Sequence, residues 1–234
     1  MTASSLTITD VALREVTKLY GPRRALFNIS LEAHSGDVIG IIGQNGAGKS
    51  TLLSILSMLM KPTAGVLELN GHPAQPHLRA RFGILSHQPL VYPELTCDEN
   101  LSIYASLCGV DASVVERLRE RLDLSDFFSD RPAGVLSRGQ LQRLALARAL
   151  VATPDVLLLD EPSSGLDRQS TFLIEQIVDE HRDIGGIAFM VSHDPLLVAS
   201  LCSRIVMLTL GKVTGEVGTG SASQIAKMLE RGRI

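Results

Sequence analysis

Cysteine is scarce in this sequence, and Cys97, Cys108 and Cys202 are too few and too scattered to build a disulfide framework or a zinc site. They are expected to be reduced, buried thiols. Long apolar runs are absent as well: the longest, such as residues 52–60, fall far short of the roughly 20 residues that a membrane-crossing helix needs. The first residues carry no basic region followed by an apolar core, so a cytosolic chain is expected, with any membrane attachment coming through a partner. An excess of basic charge is also missing. The net charge of −3 and pI near 6.1 leave no global footprint for nucleic acid. Local clusters, Arg79 with Arg81 and Arg117 with Arg119 and Arg121, sit among acids, as residues of solvated faces do. Internal repeats and low-complexity tracts are lacking too. What is abundant is apolar: 45% hydrophobic residues is ample for a core and excludes disorder, and 234 residues admit one large α/β domain or two small ones.

The chain opens β-rich. Residues 6–20 and 25–33 alternate or cluster apolar side chains as strands do, with Gly21-Pro22 as the turn between them. Residues 37–42 (DVIGII) form an apolar run too short for a helix, which predicts a strand buried on both faces. A glycine-rich loop follows, then helical spacing over residues 51–60 until Pro62 and Gly65 stop it. Short strands are expected at 66–69 and 82–85, and helices at 98–109, 112–122 and 138–152. After Pro154, strands at 156–160, 187–191 and 204–208 alternate with helices at 169–183 and 195–202, which implies a parallel sheet. The simplest parse is an α/β core, about 1–88 and 154–234, with a helical insert at about 89–153.

Two stretches carry chemistry that their residue types explain. Gly43-Gln44-Asn45-Gly46-Ala47-Gly48-Lys49-Ser50 fits G-x-x-x-x-G-K-[ST], and it lies between an apolar strand and a helix, the context that a phosphate loop requires. Glycines let backbone N–H groups curl around phosphate oxygens, and the helix N-terminus adds partial positive charge. Lys49 would reach the β- and γ-phosphates, Ser50 would offer a hydroxyl to Mg²⁺, and Thr51 follows among the phosphate-binding residues. The second stretch, Val156-Leu157-Leu158-Leu159-Asp160-Glu161-Pro162, ends an apolar strand in two carboxylates. Alone, an acidic pair could merely begin a turn. Beside a phosphate loop, Asp160 is the carboxylate best placed to hold Mg²⁺, and Glu161 is left to orient and deprotonate the attacking water, which favours hydrolysis.

Leu136-Ser137-Arg138-Gly139-Gln140 directly precedes a helix and, read by itself, is an ordinary N-cap. Beside the other two stretches it resembles the LSGGQ signature of ABC ATPases, and the resemblance covers essentially the whole chain. It implies an α/β P-loop NTPase of the ABC type: a RecA-like, mostly parallel sheet with an N-terminal antiparallel β part and an inserted helical subdomain. The remaining family positions follow in order. Tyr20 resembles the aromatic that stacks on adenine, Gln88 the Q-loop glutamine that touches Mg²⁺ or water, Ser164-Gly165-Leu166-Asp167 the D-loop, and His193 the switch histidine at the γ-phosphate. As bare sequence these are an edge tyrosine, a surface glutamine, a helix cap and a structural histidine. Ser137, Gly139, Gln140 and Asp167 are then nucleotide contacts, and Glu161, Lys49, His193 and Gln88 the catalytic set.

Two positions depart from the family pattern. Arg138 stands where many members have glycine, and Ser163-Ser164 where alanine or threonine is frequent. Neither removes a catalytic group. The resemblance further implies ATP and Mg²⁺ as cofactors and a dimer in which the phosphate loop of one subunit faces the signature of the other. It implies transmembrane permease subunits as partners, no nucleic acid, and a place on the cytoplasmic face of the cell membrane. Residues 92–101 and 104–109 are similar to the region after the Q-loop in exporters, most of all haem-exporter subunits of cytochrome c biogenesis. A soluble ABC-type ATPase without a transport role is the alternative.

Overall fold

The structure is a computed structural model that describes residues 7–124, 130–164, 166–218 and 222–231. It contains two sheets. β1 (Asp10–Tyr20) and β2 (Arg23–His34) pair antiparallel from Asp10 opposite His34 to Tyr20 opposite Arg23, with bulges along residues 13–19. β4 (Ala64–Leu69) adds to the free edge of β1, and β5 (His72–Pro73) adds to β4, giving a four-stranded antiparallel sheet.

The second sheet has the order β10-β9-β3-β8-β7-β6. β3 (Val38–Gly43), β6 (Phe82–Leu85), β7 (Val156–Asp160), β8 (Ile187–Val191) and β9 (Arg204–Thr209) are parallel, and β10 (Lys212–Gly218) closes the edge antiparallel to β9. Side chains alternate between its faces, as the two-residue period of a strand demands. Ile39, Ile41, Val156, Leu158, Ile187, Phe189 and Val206 join the core shared with the antiparallel sheet and with α1 (Lys49–Leu56). Val38, Ile42, Leu157, Leu159, Ala188, Met190 and Ile205 join the opposite core, formed with the helices. Covered on both faces, these strands read as continuous apolar runs.

Helices α2 (Cys97–Cys108), α3 (Ala112–Arg121) and α4 (Arg138–Leu150) fall between β6 and β7, and α5 (Arg168–Asp183), α6 (Pro195–Leu201) and α7 (Ala222–Arg231) follow β7. α4 lies so close to β6 that a Cβ on Gly83 would stand 2.4 Å from the Ala149 carbonyl oxygen, so only glycine permits this approach.

Several expectations are corrected. The first helix ends at Leu56, not near residue 60, because the Ser57 hydroxyl donates back to the Ser54 carbonyl and Met58 turns left-handed. Cys97 and Cys202 are buried, Cys202 with its thiol pushed up to about 12 by desolvation, but Cys108 is exposed. Arg81 is not on a solvated face: it forks onto the Asp155 carboxylate, which also accepts from the Ile8 N–H, tying the starts of β6 and β7 to the N-terminal segment. Arg119 is mostly covered and pairs with Asp98 at 3.2 Å. β10 and α7 lie beyond the elements that the sequence pattern marked.

Candidate active site

The loop after β3 makes a tight nest. Gly43 has φ 154°, and a Cβ there would sit 2.3 Å from the Leu208 carbonyl oxygen; Gly48, at φ 107°, is the N-cap of α1 and would meet the Ala25 carbonyl oxygen at 2.7 Å. α1 has no side-chain cap and no acid in its first turn. Its first N–H groups therefore look to an external anion for the satisfaction that a helix N-terminus requires. Lys49 is buried, and its Nζ donates to the Gly43 carbonyl at 2.7 Å and the Gln44 carbonyl at 2.9 Å. Burial lowers its pKa, and the carboxylates of Glu161 and Asp160 oppose that shift. Ala47 packs into the core and closes the loop through its N–H on the Gln44 carbonyl, 3.1 Å.

β7 delivers the two carboxylates. In an extended chain Asp160 and Glu161 would point to opposite faces. Glu161 instead adopts φ 52°, held by its N–H on the Val191 carbonyl at 2.8 Å, and both residues line the same cavity. A left-handed conformation costs a non-glycine residue about 1–3 kcal/mol and is retained where the surroundings enforce it. The Asp160 carboxyl is held above its ordinary range by desolvation, which His87, Lys49 and His193 partly offset. Glu161 accepts from the His193 backbone N–H at 3.3 Å, and the His193 ring Nε2 stands 3.3 Å from its other oxygen.

The resulting cavity, about 520 Å³, is bounded by Tyr20, Asn45, Gly46, Gly48, Lys49, Ser50, Thr51, His87, Asp160, Glu161 and His193, with Arg23 and Arg24 at the start of β2. A carboxylate and a hydroxyl lining the same cavity suit a hard divalent ion: Asp160 and Ser50 would hold it, and it would neutralise charge on a bound phosphate group. Tyr20 is half exposed at the rim, its hydroxyl on the Met60 sulfur at 3.0 Å.

Other expected site residues are not gathered here. Ser137 and Gln140 occupy each other in a reciprocal cap of α4: the Gln140 N–H donates to the Ser137 hydroxyl at 3.4 Å, and the Ser137 N–H donates to Gln140 Oε1 at 2.9 Å. Neither they nor Gly139 reach the cavity. Asp167 caps α5, its Oδ1 accepting from the Ser170 N–H at 2.8 Å, and Gly165 of the same stretch lies outside the described residues. Gln88 is exposed and borders neither this cavity nor the smaller one beside it, whereas His87 borders both. Sequence reasoning missed His87, Arg23 and Arg24; the basic pair after Gly21-Pro22, so near Tyr20, was the available signal. The adjoining cavity, about 220 Å³, is bounded by Arg138, Gln142 and Ser164 as well. Arg138 donates to the Ser164 hydroxyl at 3.2 Å, and Gln142 to the Pro162 carbonyl at 3.1 Å.

A phosphate nest, a strand-end carboxylate pair and a separately capped signature helix define an ATP-hydrolysing P-loop protein. Residues 26–164 match the ABC transporter family, and the chain belongs to it, as an ATP-binding subunit and an ATPase. It is 34% identical over 210 residues to the Nod factor export ATP-binding protein I of Cupriavidus metallidurans, covering 87% of this chain and 69% of that one. It is also 34% identical to the arginine transport ATP-binding protein ArtP of Escherichia coli (strain K12), covering 92% and 93%. An ATP-binding cassette solved as a dimer in a post-hydrolysis state, with ADP and Pi, superposes with a TM-score of 0.82 at 28% identity, covering 90% of this chain and 99% of that one. Among the described residues no helix is long and apolar enough to cross a membrane.

Proposed function

We propose that the chain drives an exporter: two copies, or one copy and a related subunit, close around two MgATP molecules and work a separate permease at the cytoplasmic face of the membrane. The carrying observation is the division of the site. Lys49, Ser50, Asp160, Glu161 and His193 share one cavity, while Ser137, Gly139 and Gln140 stand outside it on another helix N-terminus. A second chain that brings its own Ser137 and Gly139 to the open side of the cavity supplies the missing wall.

The geometry supports a route for hydrolysis. Glu161 accepts the proton of the attacking water, His193 steadies that carboxylate and faces the γ-phosphate, and Lys49 leaves its loop carbonyls for the β- and γ-phosphate oxygens. Phosphate release then removes the anion that joins the two chains, and the dimer opens.

The helical insert, residues 89–153, offers the permease an apolar surface. Leu90, Tyr92 and Val135 are exposed, and the loop that carries the first two is held by Asn100, whose side chain bonds the backbone of Tyr92, Leu95 and Thr96. That loop is bound to the 132–134 turn, with the Gly134 N–H on the Pro93 carbonyl at 2.8 Å. Export is supported by the similarity to the Nod factor export subunit, and haem is the first cargo to test because residues 92–101 and 104–109 resemble haem-exporter subunits. The test is ATP-dependent cargo uptake into inside-out vesicles carrying the permease and this chain. Uptake with haem-stimulated hydrolysis is expected; a chain that hydrolyses ATP but binds no membrane subunit would be a soluble ATPase.

A further inference from the structure

A further cavity, about 340 Å³, opens at the end of β7 opposite to Asp160 and shares no lining residue with the 520 Å³ cavity. It lies between α3, the end of α4 with the Thr153-Pro154 segment that leads into β7, and the second half of α5. Val114, Leu118, Leu150, Pro154, Ile177 and Ile184 make most of its wall apolar. Leu118 and Ile177 are buried in the core, whereas Ile184 stands at the mouth, 82% exposed. Its place there is fixed: the Ile184 N–H donates to the Glu180 carbonyl at 3.2 Å, and the Gly185 N–H to the Arg182 carbonyl at 2.8 Å. A bonded turn thus holds an apolar side chain out in water. The charged groups gather at one side. Arg117 and Arg121, four residues apart on α3, share a helix face, and both are exposed. Arg121 pairs with Glu180, the one carboxylate of the lining. His181 has its Nε2 3.2 Å from the Ile187 carbonyl, and burial lowers its pKa, so it adds no charge at neutral pH. The lining therefore sets two cations against one anion.

We infer that this cavity binds a small amphiphilic anion, a single carboxylate on an unbranched hydrocarbon tail, as in a free medium-chain fatty acid. The tail replaces water against Leu118, Ile177 and Ile184, and the carboxylate bonds Arg117 and shares Arg121 with Glu180. An apolar chamber with a few polar groups at its rim is the usual form of a small-molecule site. At about 340 Å³ it lies near the lower end of the usual range, roughly 300–1,000 Å³, so one tail of about eight to ten carbons suits it and a two-tailed lipid does not. The bound molecule touches α3 and α5 at once and adds to the tie that Arg121 and Glu180 make between them. The site depends neither on the cargo nor on the direction of transport.

The test is calorimetric titration of the full chain with hexanoate, octanoate, decanoate and tetradecanoate below their micelle concentrations, and with decyltrimethylammonium as the opposite charge. Decanoate should bind one to one with a Kd of about 10–100 µM, as its size allows. Affinity should rise by up to about fourfold for each added methylene and stop rising before tetradecanoate, where the cavity is full. The cation should bind at least about tenfold more weakly. Ile184→Asp should weaken decanoate binding by about tenfold or more. The double variant Arg117→Ala with Arg121→Ala should do the same, while leaving binding of decanol within about twofold. Leu210→Asp removes an equally exposed apolar side chain from the turn between β9 and β10, and should leave decanoate binding within about twofold. So should saturating β,γ-methylene-ATP, because the two cavities share no residue. No binding of decanoate, equal binding of the cation, an equal loss in Leu210→Asp and Ile184→Asp, or displacement by the nucleotide analogue would each overturn the assignment. All substituted positions are exposed, so melting temperatures should stay within a few degrees of the unchanged chain. Should Ile184→Asp melt early, the arginine variant and the chain-length series decide.

Discussion

Two helix N-termini in this molecule are built alike and used differently. α1 and α4 each begin with a cation at the first helical position, Lys49 and Arg138, and neither has an acid in its first turn. A cation there opposes the helix dipole at a cost of about 0.3–1 kcal/mol, so both ends are arranged for an anion from outside. They differ in their caps. Gly48 leaves the N–H groups of α1 without a side-chain partner, whereas at α4 the Ser137 hydroxyl accepts from the Gln140 N–H and Gln140 Oε1 accepts from the Ser137 N–H. The phosphate loop is therefore ready in a single chain. On the proposed reading, the signature exchanges one set of hydrogen bonds for another when a nucleotide arrives.

The largest expected effect tests the ready end. Lys49→Ala removes a buried cation whose contacts with phosphate are charge-assisted, each about 1.5–3 kcal/mol, so nucleotide affinity should fall by at least about thirtyfold. A fluorescent ATP analogue measures this. The melting temperature of the empty protein should change little, because desolvation already disfavours the charge. Retained affinity would mean that the loop amides hold the triphosphate without the lysine.

Glu161→Gln comes next and separates chemistry from closure. Both helix ends stay intact and the water loses its base, so turnover should fall by about 10²–10⁴-fold while ATP binding persists. Size-exclusion chromatography with ATP should show an accumulated dimer. Near-normal turnover would remove Glu161 from the base role.

The same contrast explains what was legible in the sequence. The phosphate loop and Asp160-Glu161 are contiguous stretches whose function depends on local backbone, so residue order alone exposes them. The short apolar runs of the buried strands were equally visible. Long-range geometry was not: the Arg81–Asp155 pair joins residues 74 apart, and nothing local marks Arg81 as covered. That His87 borders the cavity was not legible either, because residue order does not show how the chain turns after β6, where the Ser86 hydroxyl donates to the Gln88 carbonyl. The early end of α1 had a similar origin, in hydroxyls of Ser54 and Ser57 that bond backbone carbonyls where apolar spacing suggested a longer helix. The edge strand β10 is half exposed and glycine-bearing, which weakens any alternating signal.

Ser137→Ala probes the occupied end. Losing an N-cap costs about 0.5–2 kcal/mol, so the melting temperature should fall by a few degrees. Nucleotide affinity of the isolated chain should be unchanged, since Ser137 lies outside the cavity, while ATPase activity at dimer-forming concentration should drop by about tenfold or more, as for one lost hydrogen bond to a charged phosphate. A fall in stability with full activity would reduce the signature serine to a cap.

Arg138→Ala should have the smallest effect on the fold and decides why a cation stands at that helix end. The substitution loses one hydrogen bond to Ser164, worth about 0.5–1.5 kcal/mol, and relieves an unfavourable charge–dipole interaction of similar size. The two nearly cancel, so stability should move by less than about 0.5 kcal/mol in a denaturant titration. If Arg138 serves only to hold Ser164, Ser164→Ala should reproduce whatever it does to ATP hydrolysis. If the guanidinium turns to the partner's γ-phosphate, Arg138→Ala should slow hydrolysis several-fold and raise the ATP concentration needed for dimerisation, Arg138→Lys should recover part of both, and Ser164→Ala should change neither. The second pattern is expected, because an arginine that gains so little for the empty chain fits a site whose other half is an anion.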